Sequence, residues 1–373
     1  MYKKVKIIIV VFIFIPFLFC GCWDQKPINE CGFITMLGIE CSNSGEVNVT
    51  YGVPANDPTT KAKTEIINTS ANLLRIAREK LKMQSAKNIE AGKIQFFMFS
   101  KETAASLPIE NVNEVFERDP ANPILAWVIV VDGSPKDLFN KCLKYKDKPL
   151  PSIYITKLIE RCASCAYVPE TMVYNYDINN YAKGIDNIAP YVRYDSKAVE
   201  GAGSAIFSSG KMVGTINTQE TGILTAMMKT LKGKKFTYFC GGIDDDTDKP
   251  IHGLAIQLNQ KSKKINISIK NNKPIVDIYI ELYGYVDEYK WDNLKDEKKI
   301  KKLNKYVQQD IQINSQKVLN KLQNMDSDPI GIGDIVRAKY NDYWRKVKWH
   351  EAYKNAEITS HVKFNIIQHG AVQ

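Results

Sequence analysis

No helix-length apolar segment able to cross a bilayer occurs in this 373-residue chain. The apolar run Ile7 to Phe19 has thirteen residues, whereas a spanning helix needs about 20 to match a hydrocarbon core of about 30 Å. Glycine and proline, 21 and 15 in number, are too few for a collagen-like or low-complexity chain. Eight cysteines over this length do not make a disulfide-stapled miniprotein. The four histidines, His252, His350, His361 and His369, include no pair at metal spacing, and Cys162-Ala-Ser-Cys165 has no second CxxC to complete a zinc set. There is no GxSxG elbow and no HExxH helix. Gly201-Ala-Gly203 and Gly331-Ile-Gly333 stop short of the third glycine or the Lys-Ser/Thr of a phosphate loop. Asp244 to Asp248 alternate acids as a calcium loop does, but Lys249 stands where the glycine belongs and Ala255 where the bidentate glutamate belongs. These absences point to a protein without a cofactor, a metal or a catalytic constellation. An envelope hydrolase built on a carboxylate pair stays open, because such pairs are not visible in sequence.

What is present begins at the first residues. Lys3, Lys4 and Lys6 precede the apolar run, and Cys20-Gly21-Cys22 follows it at once. This is the layout of a signal peptide with a small residue before a cysteine. Residues 1–21 are expected to be a lipoprotein signal peptide, and Cys22 the diacylated new N-terminus; the alternative is a plain signal peptide with a chance cysteine. Acyl chains contribute about 0.8 kcal/mol per buried CH₂, so a diacyl anchor holds a soluble body at a membrane face. Removing Lys3, Lys4 and Lys6 leaves 48 basic against 41 acidic groups, and residues 261–373 alone carry 21 against 14. On a tethered protein such an excess favours anionic head groups or an acidic partner surface over nucleic acid. Much of it lies in Lys298, Lys299, Lys301, Lys302 and Lys305, which also fits the solvated face of a helix.

Pattern alone has to divide the chain, because it holds no repeat and no Gly/Ser linker. Residues 31–41 and 46–53 read as strands around an Asn43-Ser44-Gly45 turn, and 70–83 as a helix. Strands at 94–99 and 125–131 and helices at 152–165 and 170–180 follow. If Cys162 and Cys165 share a helix they are small buried residues on one face; a thioredoxin-like site would place them between a strand and a helix start. Strands from Gly201 and Lys211, a helix from Thr218 to about Lys232, and strands at 236–241, 253–258, 265–270 and 275–286 come next. Ile300, Leu303, Val307, Ile311, Val318, Leu322 and Met325 form a long helical stripe. A second helix is expected over 329–348, with a closing strand at 358–367. The expected architecture is α+β, with mixed and antiparallel sheets packed by helices in three domains: 22–195, 196–260 and 261–373.

Three blocks of residues resemble one family, the C subunit lipoproteins of spore nutrient germinant receptors, written Ger(x)C. Cys22-Trp23-Asp24 with Ile28-Asn29-Glu30 and Leu37-Gly38-Ile39-Glu40 is similar to the family's opening. Gly201-Ala-Gly-Ser-Ala-Ile-Phe, Gly210-Lys-Met-Val-Gly and Glu220-Thr-Gly-Ile-Leu resemble its middle block. Pro329-Ile-Gly-Ile-Gly-Asp-Ile-Val-Arg337, with Tyr340, Trp344 and Trp349, resembles its terminal pattern. The resemblance implies a three-domain, non-catalytic lipoprotein on the outer face of the inner spore membrane. It would work with two membrane subunits, A and B, in detecting nutrients. Arg337, Trp344, Arg345, Lys346, Lys348 and Trp349 are expected to form a docking or head-group surface; the competing reading puts both tryptophans in the core. A tethered lipoprotein that itself captures a small nutrient is the second functional class.

Overall fold

The computed structural model describes residues 27–41, 45–55, 63–112, 118, 123–228, 231, 233–241, 253–289 and 297–368. The expected signal peptide with Cys22, the Asp244 to Asp248 run, His252 and His369 lie outside the described residues.

Strand β1 (Cys31–Phe33) pairs in parallel with β5 (Asn88–Glu90) as a small separate sheet. The main sheet has eight strands. Its centre is parallel: β2 (Met36–Cys41), β6 (Phe96–Ser100), β7 (Trp127–Val131) and β8 (Ile188–Tyr194). Antiparallel strands flank it, β3 (Val47–Pro54) and β4 (Thr64–Ala71) on one side, β9 (Val199–Ser208) and β10 (Lys211–Ile216) on the other. The runs Phe-Phe-Met-Phe of β6 and Trp-Val-Ile-Val-Val of β7 are buried throughout, as parallel strands covered on both faces must be. Phe97, Phe99, Val128 and Val130 face helices α1 (Leu74–Gln84), α2 (Lys101–Ser106) and α5 (Val173–Tyr181). Phe96, Met98, Ile129 and Val131 face α3 (Pro135–Cys142) and α4 (Pro151–Ser164). Ser100 and Ser134 cap α2 and α3, each accepting a backbone N–H three residues on. The sheet takes in strands on both sides of residue 195, because β8 pairs with β9.

Several elements differ from expectation. The helix expected from Ser70 starts at Leu74, because Ser70 and Ala71 finish β4, paired with Asn48 and Val47. The strand expected over 31–41 breaks at Ile34 and Thr35, where the chain passes from β1 to β2. Cys162 lies on α4 and Cys165 ends it; both are free thiols.

The second sheet has four strands in order: β11 (Phe236–Cys240), β12 (Leu254–Lys270), β13 (Lys273–Glu288) and β14 (Glu357–Gln368). β12 replaces the two shorter strands expected there. Its polar middle, 259–264, pairs with β13 across an irregularity between Gln260 and Ser262, so pairing continues where apolar alternation does not. Helix α6 (Thr218–Met228) and the 28-residue α7 (Glu297–Asn324) pack on this sheet. The helix expected over 329–348 is instead two short ones, α8 (Ile332–Lys339) and α9 (Asn341–Trp344), and a third, α10 (Trp349–Lys354), follows beyond that span. Tyr340 leaves the helical region and donates its hydroxyl to the Ile267 carbonyl of β12 at 2.7 Å, which turns the chain.

One side of α7 does more than bury apolar groups. Side-chain oxygens of Asn304, Gln308, Gln312 and Gln316 accept the backbone N–H groups of Ile366, Phe364, Val362 and Ser360. Gln316 also donates to the Ile358 carbonyl. Four helical residues rise about 6 Å and two strand residues about 6.6 Å, so an amide every fourth residue meets every second residue of β14. The outer edge of the sheet is thereby closed by side chains.

Candidate functional site at the joint between the sheets

The two sheets meet where α7 ends. Asp326, with φ +53°, terminates that helix, and Ser327 N–H closes back on the Leu322 carbonyl. The next residue, Asp328, is fully buried. Its carboxylate accepts the N–H groups of Gly331, Ile332 and Gly333 at 2.8–3.1 Å and the indole N–H of Trp349 at 3.1 Å. Four donors fill the acceptor sites of an ionised carboxylate. Burial nevertheless pushes the Asp328 carboxyl up to about 7, against the pull of these N–H groups.

Partners from the eight-stranded sheet complete the joint. Asp186, just before β8, donates its N–H to the Asp328 carbonyl and accepts the Asp328 N–H at 2.8 Å. Burial raises the Asp186 carboxyl as well. Ser208 Oγ donates to the Asp326 carbonyl and Ser327 Oγ to the Phe207 carbonyl, both at 2.6 Å. Two glycines make the approach sterically possible. A Cβ on Gly184 would meet the backbone of Gly333 and Asp334, and one on Gly333 would meet the Trp349 indole. Gly331 adopts φ +77°, which favours glycine. A cavity of about 300 Å³ opens beside the joint, lined in part by Lys183, Asp186, Asn187, Ser209 and His350. On its wall the buried Asn187 Oδ1 and Glu110 Oε2 have no hydrogen-bond partner among the described residues.

The structure divides the residues expected to form a docking surface. Arg337, Arg345, Lys346 and Lys348 are exposed. Arg337 pairs with Asp334 at 3.2 Å and Lys348 with Glu351 at 3.5 Å. Trp344 is half-buried. Trp349 is buried, its ring 5.6 Å from that of Trp344 and 6.0 Å from that of Tyr353, with its N–H given to Asp328. Tyr343, Lys346 and Lys348 also line an open groove of about 460 Å³ beside the β12–β13 turn. Sequence reasoning missed Asp328 and Asp186. For Asp328 a signal existed: an aspartate three residues before a glycine and just ahead of a helix is a capping pattern. For Asp186 there was none, because its partner lies 142 residues away.

Comparison with known proteins matches two family models. Residues 24–194 match the spore germination protein N-terminal domain, and 202–370 the spore germination B3/GerAC-like C-terminal domain. Spore germination protein B3 of Bacillus subtilis strain 168 is 25% identical over 97% of each chain. Spore germination protein GerQC of Bacillus cereus is 20% identical over 98% of this chain and 99% of its own. The crystal structure of the GerBC protein superposes with a TM-score of 0.57 at 18% identity, covering 89% of this chain and 96% of that one.

Proposed function

Because the chain belongs to the Ger(x)C family of spore germination proteins, we propose that it is the lipid-anchored C subunit of a nutrient germinant receptor. In this reading diacylglyceryl Cys22 holds it at the outer face of the inner spore membrane. It acts there without catalysis beside the membrane-embedded A and B subunits. The observation that carries the reading is that the two family models together take in nearly all of the chain that follows Cys22. Tethering raises the effective concentration of the body near its membrane partners, so the contacts themselves need only modest affinity. The exposed cations Arg337, Arg345, Lys346 and Lys348, with half-buried Trp344 beside them, are the proposed contact surface. Trp349 supports that surface from within, through Asp328.

Affinity purification of the A and B subunits with wild-type and Cys22→Ala protein tests this. The wild type should fractionate with membranes and co-purify with both subunits, and the variant should lose both properties. Equal recovery of the two would refute the anchoring. A second reading, direct capture of a small nutrient, is favoured by the 300 Å³ cavity and its unpartnered Asn187 and Glu110 oxygens. Calorimetric titration with amino acids and sugars separates it from the scaffold role.

A further inference from the structure

Helix α5 turns an apolar stripe to solvent. Tyr174, Ile178 and Tyr181 recur at spacings of four and three, on the side away from buried Val173 and Tyr176. Ile178 is 63% exposed and Tyr181 75%. The start of the helix is fastened to the segment before β7, with Val173 N–H donated to the Ala126 carbonyl and Tyr174 N–H to that of Ile124. This brings the side chains of Ile124 and Leu125, also exposed, to the head of the stripe. A core-facing surface of this composition would be ordinary; five large apolar side chains left open together are not.

The position of the stripe says what covers it. Hydrogen bonds from Gln95 to Thr35 and from Trp127 to Gln95 run across the starts of β2, β6 and β7, so these strands all begin at one end of the sheet. The end of α5 leads into the start of β8 at that same end. The chain from the N-terminus enters the sheet there too, through β1 and Thr35. Two strand spacings, about 10 Å, separate the start of β2 from that of β7. Cys22 lies five residues before Pro27, a reach of at most about 18 Å. A lipid on Cys22 would therefore be within reach of the end of the molecule that carries the α5 stripe. Tyrosines among isoleucine and leucine, with half-buried Asp177 at the flank of the stripe, match the boundary between head groups and acyl chains. We infer that Ile124, Leu125, Tyr174, Ile178 and Tyr181 form a membrane-seating patch that rests on the lipid surface beside the anchor and fixes the orientation of the body.

This orientation rests on the lipid-anchored reading, and the test separates the two. Protein expressed from the full chain and purified from membranes, carrying an environment-sensitive fluorescent amino acid in place of Ile178, is reconstituted with phosphatidylcholine vesicles, with and without bromine on the acyl chains. A second variant carries the same probe in place of Ile313, an exposed residue on α7. The expected result is a blue shift and at least two-fold quenching by brominated lipid at 178, and neither at 313. Equal quenching at both positions, or none at 178, overturns the inference. A blue shift at 178 that appears without lipid and grows with protein concentration assigns the patch to a second copy and likewise overturns it. Mass analysis of Cys22 in the same sample reports on the anchor alone. An unacylated Cys22 refutes the anchored reading, while the patch still stands or falls on quenching at 178.

Discussion

In the eight-stranded sheet Phe97 and Phe99 point into one helical layer and Phe96 and Met98 into the other. In the four-stranded sheet Ile278 and Ile280 point into the core shared with α7, whereas the neighbouring Tyr279 and Glu281 face water. There Tyr279 stacks on His361 with centroids 4.5 Å apart, His361 lies 2.7 Å from Asp277, and Lys363 and Lys261 both reach Glu281. Lys363, then Lys261, hold the Glu281 carboxyl below its usual range by hydrogen bonding. The difference follows from connection. Parallel strands need crossover helices, which cover both faces, whereas a long antiparallel hairpin such as β12–β13 needs cover on one face only. The price of leaving a face open is an edge to manage, and α7 closes the β14 edge with its amide ladder.

Substitutions can break that contrast, the most damaging in the doubly covered sheet. Phe99→Ala should cost about 3–5 kcal/mol in urea unfolding, since it empties a packed site between helix and sheet, whereas Tyr283→Ala on the outer face should cost under about 1 kcal/mol. At the joint, Asp328→Ala strands three backbone N–H groups and the Trp349 indole, for a loss of about 3 kcal/mol. That site also gives a pH signature. With its folded carboxyl raised to about 7, Asp328 keeps a proton that the unfolded chain has already released above the ordinary aspartate value. Its contribution to stability is therefore present at low pH and lost as pH rises toward about 7. Urea unfolding of Asp328→Asn across that window should show a flatter pH slope than wild type.

Smaller effects sharpen the edge argument. Gln312→Ala frees the Val362 N–H and the Ser360 carbonyl. It should cost about 1 kcal/mol and raise self-association in light scattering, because the β14 edge reopens. If scattering does not change, the ladder is not what guards that edge. Least of all, Lys363→Ala should leave the unfolding midpoint unchanged within error at 1 M salt, since Lys261 still reaches Glu281 and the pair is screened.

Legibility followed locality. The buried runs of β6 and β7 and the stripe of α7 were readable because their periods are set by neighbours within a turn or a strand. The ladder was readable in principle: Asn304, Gln308, Gln312 and Gln316 stand at spacing four. Strand β4 and the middle of β12 were not, because their pairing partners, rather than their own alternation, make them strands. Trp349 carries no sequence mark that separates a core indole from a surface one; the Asp328 carboxylate and Gly333 decide it.

By itself the sequence determined the α+β class, the signal-peptide pattern ending at Cys22, the family resemblance and which helical faces are apolar, since composition and short periods carry that information. Only the tertiary structure decided that Asp186 and Asp328 join the two sheets, that the exposed α5 stripe lies at the end of the sheet where the chain enters through β1 and Thr35, and that one helix seals a strand edge. Those facts depend on groups tens to more than a hundred residues apart, and no local pattern encodes a distance of that kind.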